Sequence, residues 1–297
     1  MKHRTPIRLV AAFALAMVLT GLAMGPSDAS QWKRKPDVII AWTAWADAEV
    51  VSKMAAIILT RGMKYDVELT LADIAVQYRG VAEGDLDVML MSWQPKTHAD
   101  YIRRYGDRLV DLGAIYSGAN LGWVVPDYIP KSDLSGIQDL ARLEVREKLG
   151  GRIQGIGAGA GLMAMSRKAI DAYGLDYELV VSSGPAMAMA VGKAVAKKDY
   201  IVATGWRPHW KFSEYPLRYL DDPKGIFKGK ESVHAMARPG FKEDLPEVAG
   251  FFSRMEFSLA DLESIMAEAR KTSHEEAILS WVEANSDKVA YWMQGKK

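Results

Sequence analysis

The sequence predicts an α/β protein built as two lobes of largely parallel sheet, and three observations support this class. Short apolar runs alternate with helical patterns along most of the 297 residues, as in strand–helix–strand units. The alternation comes in two series, and the second begins after Pro130. The roughly 268 residues that follow an N-terminal leader suit two lobes better than one large enzyme domain.

The first 29 residues have the organisation of a secretory signal peptide. A basic start that includes Lys2, Arg4 and Arg8 precedes sixteen uncharged residues, 9–24, and small residues precede a cleavage site after Ala29. A retained membrane anchor is the alternative, although sixteen residues fall short of the ~20 needed to span a bilayer. We therefore expect a processed protein in the periplasm.

In the first series, apolar runs of strand length alternate with helical stripes. Glycines follow two of the helical patterns, at Gly62 and Gly84, where they are typical helix stops. The predicted elements, in chain order, are strand 38–42, helix 47–61, strand 67–71, helix 73–83, strand 88–91, helix 98–105 and strand 121–125.

The second series repeats the alternation. A glycine-rich turn at 155–161 lies between its first strand and its first helix, and the last part of the chain has helical patterns only. The predicted elements, in chain order, are strand 152–156, helix 162–173, strand 179–182, helix 186–197, strand 200–204 and helices 259–271 and 275–293.

Charge and residue content exclude several function classes. With 38 Lys and Arg against 37 Asp and Glu, the chain lacks the broad basic surface of a nucleic-acid-binding protein. The absence of Cys excludes disulfides, thiolate metal sites, Cys nucleophiles and a Cys-linked lipid anchor. The histidines beyond the leader form no metal-ligand pair at helical spacing, and no Gly-x-Ser-x-Gly elbow occurs. We therefore predict no metal, no cofactor and no catalytic residue.

Tryptophan is unusually abundant, with nine Trp against seven Phe. Trp42, Trp93 and Trp206 each follow a buried-strand pattern directly, and ligands of open α/β sheets bind beyond the carboxyl ends of strands. Stacked Trp faces attract a quaternary ammonium group, which cannot donate hydrogen bonds. An aromatic cage is therefore predicted, with core packing or a sugar-stacking platform as the alternative. Trp45 is either a fourth wall or faces the helix behind it.

Two turns could hold an anion. The glycine-rich turn around Gly159 opens a predicted helix, and free backbone N–H groups at a helix N-terminus attract a carboxylate. It also fits the dinucleotide-binding pattern loosely. The turn around Ala44 has the same property, and the sequence does not choose between them. His209, three residues after Trp206, is either a donor to the same pocket or a hydrogen-bonded loop histidine.

Several segments resemble the substrate-binding proteins of glycine betaine and choline ABC transporters. The resemblance extends from about residue 37 to 293. The segments that carry it are AWTAW (41–45), DLDVMLMSWQP (85–95) with THADY (97–101), GWRPHW (205–210), DDPKG (221–225) and VH (233–234).

The resemblance implies a type II periplasmic binding-protein fold, in which two α/β lobes joined by a two-pass hinge close on a ligand in the cleft between them. Residues 30–120 with 228–297 would form lobe 1, and residues 121–227 lobe 2. Trp at the positions of Trp42, Trp93 and Trp206 surrounds a trimethylammonium group in this family. The carboxylate is held at the lobe interface, and the candidates for this secondary role are Ala44, Trp45, Gly159 and His209.

The function that the resemblance implies is that of a monomeric receptor, not an enzyme. It would capture glycine betaine or a related quaternary ammonium compound and deliver it to an inner-membrane ABC permease. Choline-specific members carry an acid two residues after the first cage Trp, and Ala44 at that position favours a ligand with a carboxylate. Choline, carnitine or proline betaine is the alternative ligand. An exported enzyme acting on a small amine or sugar is the alternative from another class.

Overall fold

The computed structural model describes residues 35–295, so the predicted signal peptide lies outside the described residues. No helix within this range is long and apolar enough to cross a membrane. The strands of the described chain are β1 (Val38–Trp42), β2 (Val67–Leu71), β3 (Val88–Gln94), β4 (Val110–Pro126), β5 (Arg152–Gln154), β6 (Glu178–Val180), β7 (Ala203–Arg207), β8 (Leu217–Tyr219) and β9 (Glu231–Ala237).

Helices connect most of these strands. A π-helical turn, Ile58–Gly62, extends the first one. The α-helices of residues 35–295 are α1 (Ala46–Ile57), α2 (Ile74–Glu83), α3 (Ala99–Tyr105), α4 (Leu143–Lys148), α5 (Gly161–Tyr173), α6 (Gly184–Lys197), α7 (Lys211–Glu214), α8 (Phe241–Asp244), α9 (Pro246–Arg254), α10 (Leu259–Ala269), α11 (His274–Ala284) and α12 (Ser286–Gln294).

The strands form one connected sheet in the order β2-β1-β3-β9-β4-β7-β5-β6, with β8 also paired to β4. Pairing is parallel among β1, β2 and β3 and among β5, β6 and β7. The strands between these two groups pair antiparallel. The long strand β4 pairs with β9 through residues 110–119 and with β7 through residues 120–124. It therefore joins two halves of α/β architecture, as the alternation of patterns predicts.

Parallel pairing brings the carboxyl ends of β1 and β3 to one edge, and helices begin just beyond them. Trp206 lies within β7 rather than after it, because this strand begins at Ala203 and not at the predicted residue 200. The predicted helix 275–293 is two helices, α11 and α12. It is interrupted at Asn285, whose backbone leaves the helical region (φ −121°, ψ 33°) and whose side-chain amide donates to the carbonyl of Trp281.

Candidate ligand-binding site

A small cavity lies where the two halves of the sheet meet. No Asp, Glu, Lys or Arg of the described chain lines it, and its surface is mainly aromatic and aliphatic. The lining residues are Trp45, Trp93, Thr97, His98, Leu121, Ile156, Ala160, Gly161, Leu162 and Trp206.

Three indole rings form the aromatic walls, and each comes from a different element. Trp45 precedes the first residue of α1, Trp93 lies near the end of β3, and Trp206 lies in β7. All three side chains are nearly buried. The ring centroids of Trp45 and Trp206 are 6.3 Å apart with their planes at 59°, so the two faces converge at an angle. Trp93 is fixed from behind by the ring of Tyr116, which meets it edge to face at 6.3 Å.

The structure does not bring Trp42 together with Trp93 and Trp206. Side chains alternate between the two faces of a strand, and Trp42 shares its face of β1 with the buried side chains of Val38 and Ile40. Its ring lies 5.8 Å from Nζ of Lys53, a residue of α1. Trp42 therefore packs on the helix side of β1, and Trp45 is the residue of this segment that reaches the cavity.

Two N–H donors of the cavity lining have no protein partner. The Nδ1 atom of His98 accepts a hydrogen bond from the backbone N–H of Trp93 at 3.0 Å, which places the ring proton on Nε2. This Nε2 and the indole Nε1 of Trp93 are both buried, and neither has a hydrogen-bond partner in the described chain. Burial lowers the pKa of His98 to about 3, so its ring is neutral. Sequence reasoning considered His98 only as a metal ligand and missed this role.

The N-terminus of α5 closes one side of the cavity. Ala160, Gly161 and Leu162 line it, and the backbone N–H groups of Gly161 and Leu162 belong to the first turn of the helix, where no intrahelical acceptor exists. The positive end of the helix dipole adds to the attraction for an anion. Gly159 lies one residue outside the lining, and its carbonyl accepts a hydrogen bond from Oη of Tyr101 at 2.7 Å.

Gly161 also lies directly against the turn that follows β3. A Cβ at this position would lie well inside van der Waals distance of the carbonyl oxygen of Thr97, in the turn between β3 and α3. Only glycine therefore lets the N-terminus of α5 sit directly on this turn.

Asp47 is a fully buried carboxylate that supports the aromatic walls without lining the cavity. Its Oδ1 accepts from Nε1 of Trp206 at 2.9 Å, and its Oδ2 accepts from Oη of Tyr116 at 2.6 Å. Burial raises the pKa of Asp47, and the two hydrogen bonds oppose this shift. Through these contacts Asp47 links Trp206 to the ring that supports Trp93.

The other predicted secondary residues meet in a neighbouring cleft. Ala44, Trp45 and His209 all contribute to it, and Trp45 alone lines both spaces. His209 is 3% exposed, its Nδ1 accepts the backbone N–H of Lys211 at 3.1 Å, and its ring meets that of Trp206 at 4.8 Å. It packs against Trp206 and does not line the cavity of Trp45, Trp93 and Trp206.

A two-lobed α/β fold with an aromatic cavity between its halves defines a solute-binding protein. The chain belongs to the family described as the substrate-binding domain of ABC-type glycine betaine transport systems, whose model matches residues 36–284. This family consists of transporter substrate-binding proteins rather than enzymes, and the predicted type II periplasmic binding-protein fold is confirmed.

Known relatives agree with this assignment. The chain is 38% identical over 159 residues to the glycine betaine/carnitine transport binding protein GbuC of Listeria monocytogenes, a match that spans 52% of this chain and about half (53%) of that protein. Lactococcal OpuAC in its closed-liganded conformation with glycine betaine is 33% identical with a TM-score of 0.79, covering 86% of this chain and 99% of that one. A choline-binding protein in complex with choline shows the same fold. It is 24% identical with a TM-score of 0.80, covering 87% of this chain and 91% of that one.

Proposed function

We propose that this protein is a periplasmic receptor that captures glycine betaine and delivers it to an inner-membrane ABC permease. The observation that carries the proposal is that three indole rings and two unpartnered N–H donors line one small cavity. Binding proteins of ABC importers act outside the cytoplasmic membrane, which agrees with the predicted leader. The receptor would act as a monomer.

The cation would occupy the space between Trp45, Trp93 and Trp206. A trimethylammonium group needs no hydrogen-bond acceptor, and each ring face attracts it by up to ~2 kcal/mol when water is excluded. A side-chain carboxylate is not required, and none lines the cavity in the described chain. The three walls that we propose are thus Trp93 and Trp206, as predicted from the sequence, with Trp45 in place of Trp42.

The carboxylate of the ligand would be bound by N–H donors that line the same cavity. The Nε2–H of His98 and the first N–H groups of α5 are donors of the kind that a carboxylate requires, and charge-assisted hydrogen bonds are stronger than neutral ones. The glycine-rich turn therefore supplies the anion site through Gly161 and Leu162, next to the predicted Gly159.

The same cavity favours a small carboxylate ligand over choline. If Trp45 is the first cage residue, the residue two positions later is Asp47 rather than Ala44. Asp47 is fully buried and does not line the cavity, so a choline hydroxyl in the cavity would not contact it.

The lobe boundaries that we propose are residues 30–120 with 228–297, and 121–227. They are supported by β4, which changes its partner from β9 to β7 between Ala119 and Asn120, and by the return of the chain at β9. The cavity is then lined from both lobes, by Trp93 and His98 on one side and by Trp206 and Gly161 on the other. Ligand bound between the lobes would shift the population toward the closed form.

Calorimetric titration of the variants Trp45→Ala and Trp42→Ala tests the proposed function and the composition of the cage together. We expect the wild-type protein to bind glycine betaine and Trp45→Ala to bind it more than about tenfold less tightly, because one wall is lost. Trp42→Ala should stay within about threefold, because its ring packs outside the cavity. A wild-type protein that binds no glycine betaine, or a larger loss from Trp42→Ala, would contradict this assignment.

A His98→Phe variant tests the anion side. We expect the affinity for glycine betaine to fall by about tenfold or more, because a charge-assisted hydrogen bond is lost, while binding of choline, which has no carboxylate, changes little. Since the pKa of His98 is about 3, the ring stays neutral above pH 5 and should add no pH dependence there. Equal losses for both ligands would show that His98 does not bind the carboxylate.

A further inference from the structure

Lys211, the first residue of α7, is a buried amine that no part of the proposed function uses. Its side chain is 0% exposed, and its Nζ has no hydrogen-bond partner in the described chain. None of the ion pairs among residues 35–295 includes it. Burying an amine without a partner is costly, so its position calls for an explanation.

The Nζ atom of Lys211 lies directly against a wall of the cage. It is 4.2 Å from the ring centroid of Trp206, and it is 5.4 Å from that of Phe212. Trp206 lines the cavity and Lys211 does not, so the amine lies on the side of the indole that faces away from the ligand. Both faces of an aromatic ring carry the same negative potential. A cation on the outer face therefore opposes a cation on the inner face.

We propose that Lys211 sets the affinity of the cage for cationic ligands by occupying the outer face of Trp206. The inference rests on the proposed function, because it requires a quaternary ammonium on the inner face. When Lys211 is protonated, its charge and that of the ligand share one ring. When it is neutral, Trp206 is free to attract the ligand cation at full strength. Lys211 is a specificity-determining residue that acts through Trp206 and does not touch the ligand.

The charged and titratable groups around Lys211 determine when it carries a proton. Asp47 of α1, bonded to the same indole, attracts the ammonium form, whereas burial lowers the pKa of Lys211 well below 10.5 and is the larger influence. His209 of the preceding loop is kept neutral by burial and by Lys211 itself, which lower its pKa. Arg207 of β7 lies over the other ring, Phe212, at 4.3 Å.

The sign of the pH dependence follows from this arrangement. Lowering the pH protonates Lys211, and the ammonium then repels the ligand cation through the indole. Affinity for glycine betaine should therefore fall toward acid pH. Two unit charges ~8 Å apart in a partly polar interior interact strongly enough to change affinity by about tenfold. The carboxylate of the ligand and the ring of His98, whose pKa is about 3, do not titrate between pH 5.5 and 9, and burial lowers the pKa of His209 well below 6.5.

The experiment is calorimetric titration of the wild-type protein and the variant Lys211→Met with glycine betaine from pH 5.5 to 9. We expect the wild-type affinity to fall toward the acid end, by up to about tenfold once Lys211 is fully protonated, and the Lys211→Met affinity to fall by less than about threefold. Lys211→Met also removes the attraction between Lys211 and Asp47, so the difference between the two proteins reports on the amine together with its interaction with Asp47. The ligand 3,3-dimethylbutanoate, which has carbon in place of the ammonium nitrogen, should show no such difference.

Lys288→Met is the matched control, because Nζ of Lys288 lies 5.6 Å from the ring of Trp281, a residue outside the cavity. It should keep the wild-type pH profile. Lys211→Gln provides a second neutral side chain, and thermal unfolding verifies that each variant is folded. Identical pH profiles of wild type and both Lys211 variants would overturn the inference while leaving the receptor function intact. A wild-type protein that binds no glycine betaine at any pH would overturn the proposed function itself.

Discussion

A Trp206→Ala variant is expected to bind glycine betaine at least about a hundredfold less tightly than the wild-type protein. The substitution removes a wall of the cavity together with its attraction for the cation. It also leaves Oδ1 of the buried Asp47 without the indole N–H that it accepts at 2.9 Å, and an unpaired buried carboxylate is costly. Isothermal titration calorimetry of both proteins measures the loss.

Trp281→Ala is the control for this substitution. Trp281 stacks on Trp292 with ring centroids 5.7 Å apart and planes at 20°, and neither ring lines the cavity. This variant should lose thermal stability because aromatic packing is lost, yet it should retain wild-type affinity in its folded form. If Trp206→Ala retained affinity within about threefold, Trp206 would not be part of the binding site.

A Gly161→Val variant should lose ligand affinity to a similar extent, for a different reason. The new side chain would collide with the carbonyl oxygen of Thr97, so the N-terminus of α5 could not approach the turn after β3. We expect the lobes to remain apart and the affinity for glycine betaine to fall by about a hundredfold or more, since donors and rings no longer converge on one ligand. Calorimetry gives the affinity, and small-angle X-ray scattering should show no compaction when ligand is added.

The same glycine-rich turn offers a matched control for this second prediction. A Cβ at Gly157 would have its nearest neighbour, Oδ1 of Asp73, at an ordinary distance of 3.8 Å. Gly157→Ala should therefore bind glycine betaine like the wild-type protein and contract on binding. If Gly161→Val bound glycine betaine as tightly as the wild-type protein and contracted on binding, the contact between Gly161 and Thr97 would not limit closure of the lobes.

Much of the fold could be predicted from hydrophobic periodicity. The parallel strands β1 and β2 and the helices α2 and α5 occur close to where their patterns place them. Both helices also end directly before a glycine. The first half of β4 could not be predicted, because Gly113 and Gly118 interrupt its apolar pattern and typically mark irregular backbone. Strand β9 has a recognisable alternation over Glu231–Ala237, although Glu231 and His234 make the apolar pattern weak.

The candidate site was predictable in its residue types but not in its full composition. Both Trp42 and Trp45 lie at the junction between β1 and α1, and the path of the two residues between them decides which ring enters the cavity. This path depends on how α1 packs on the sheet, and the hydrophobic periodicity of the sequence does not predict that packing. The role of His98 depends on a tertiary detail, namely that the backbone N–H of Trp93 occupies its Nδ1. The spacing of five residues between a strand-end Trp and a His is the only sequence signal for it.

The central claim is that the cavity recognises a positive charge by aromatic faces and a carboxylate by N–H donors. Glycine betaine and 3,3-dimethylbutanoate test it most directly, because they share shape and carboxylate and differ only in the charge of the quaternary centre. Calorimetric titration of the wild-type protein with both ligands should give at least about a hundredfold tighter binding of glycine betaine, from the summed attraction of three rings. Equal affinities would contradict the account, because the cavity would then select for size and carboxylate alone.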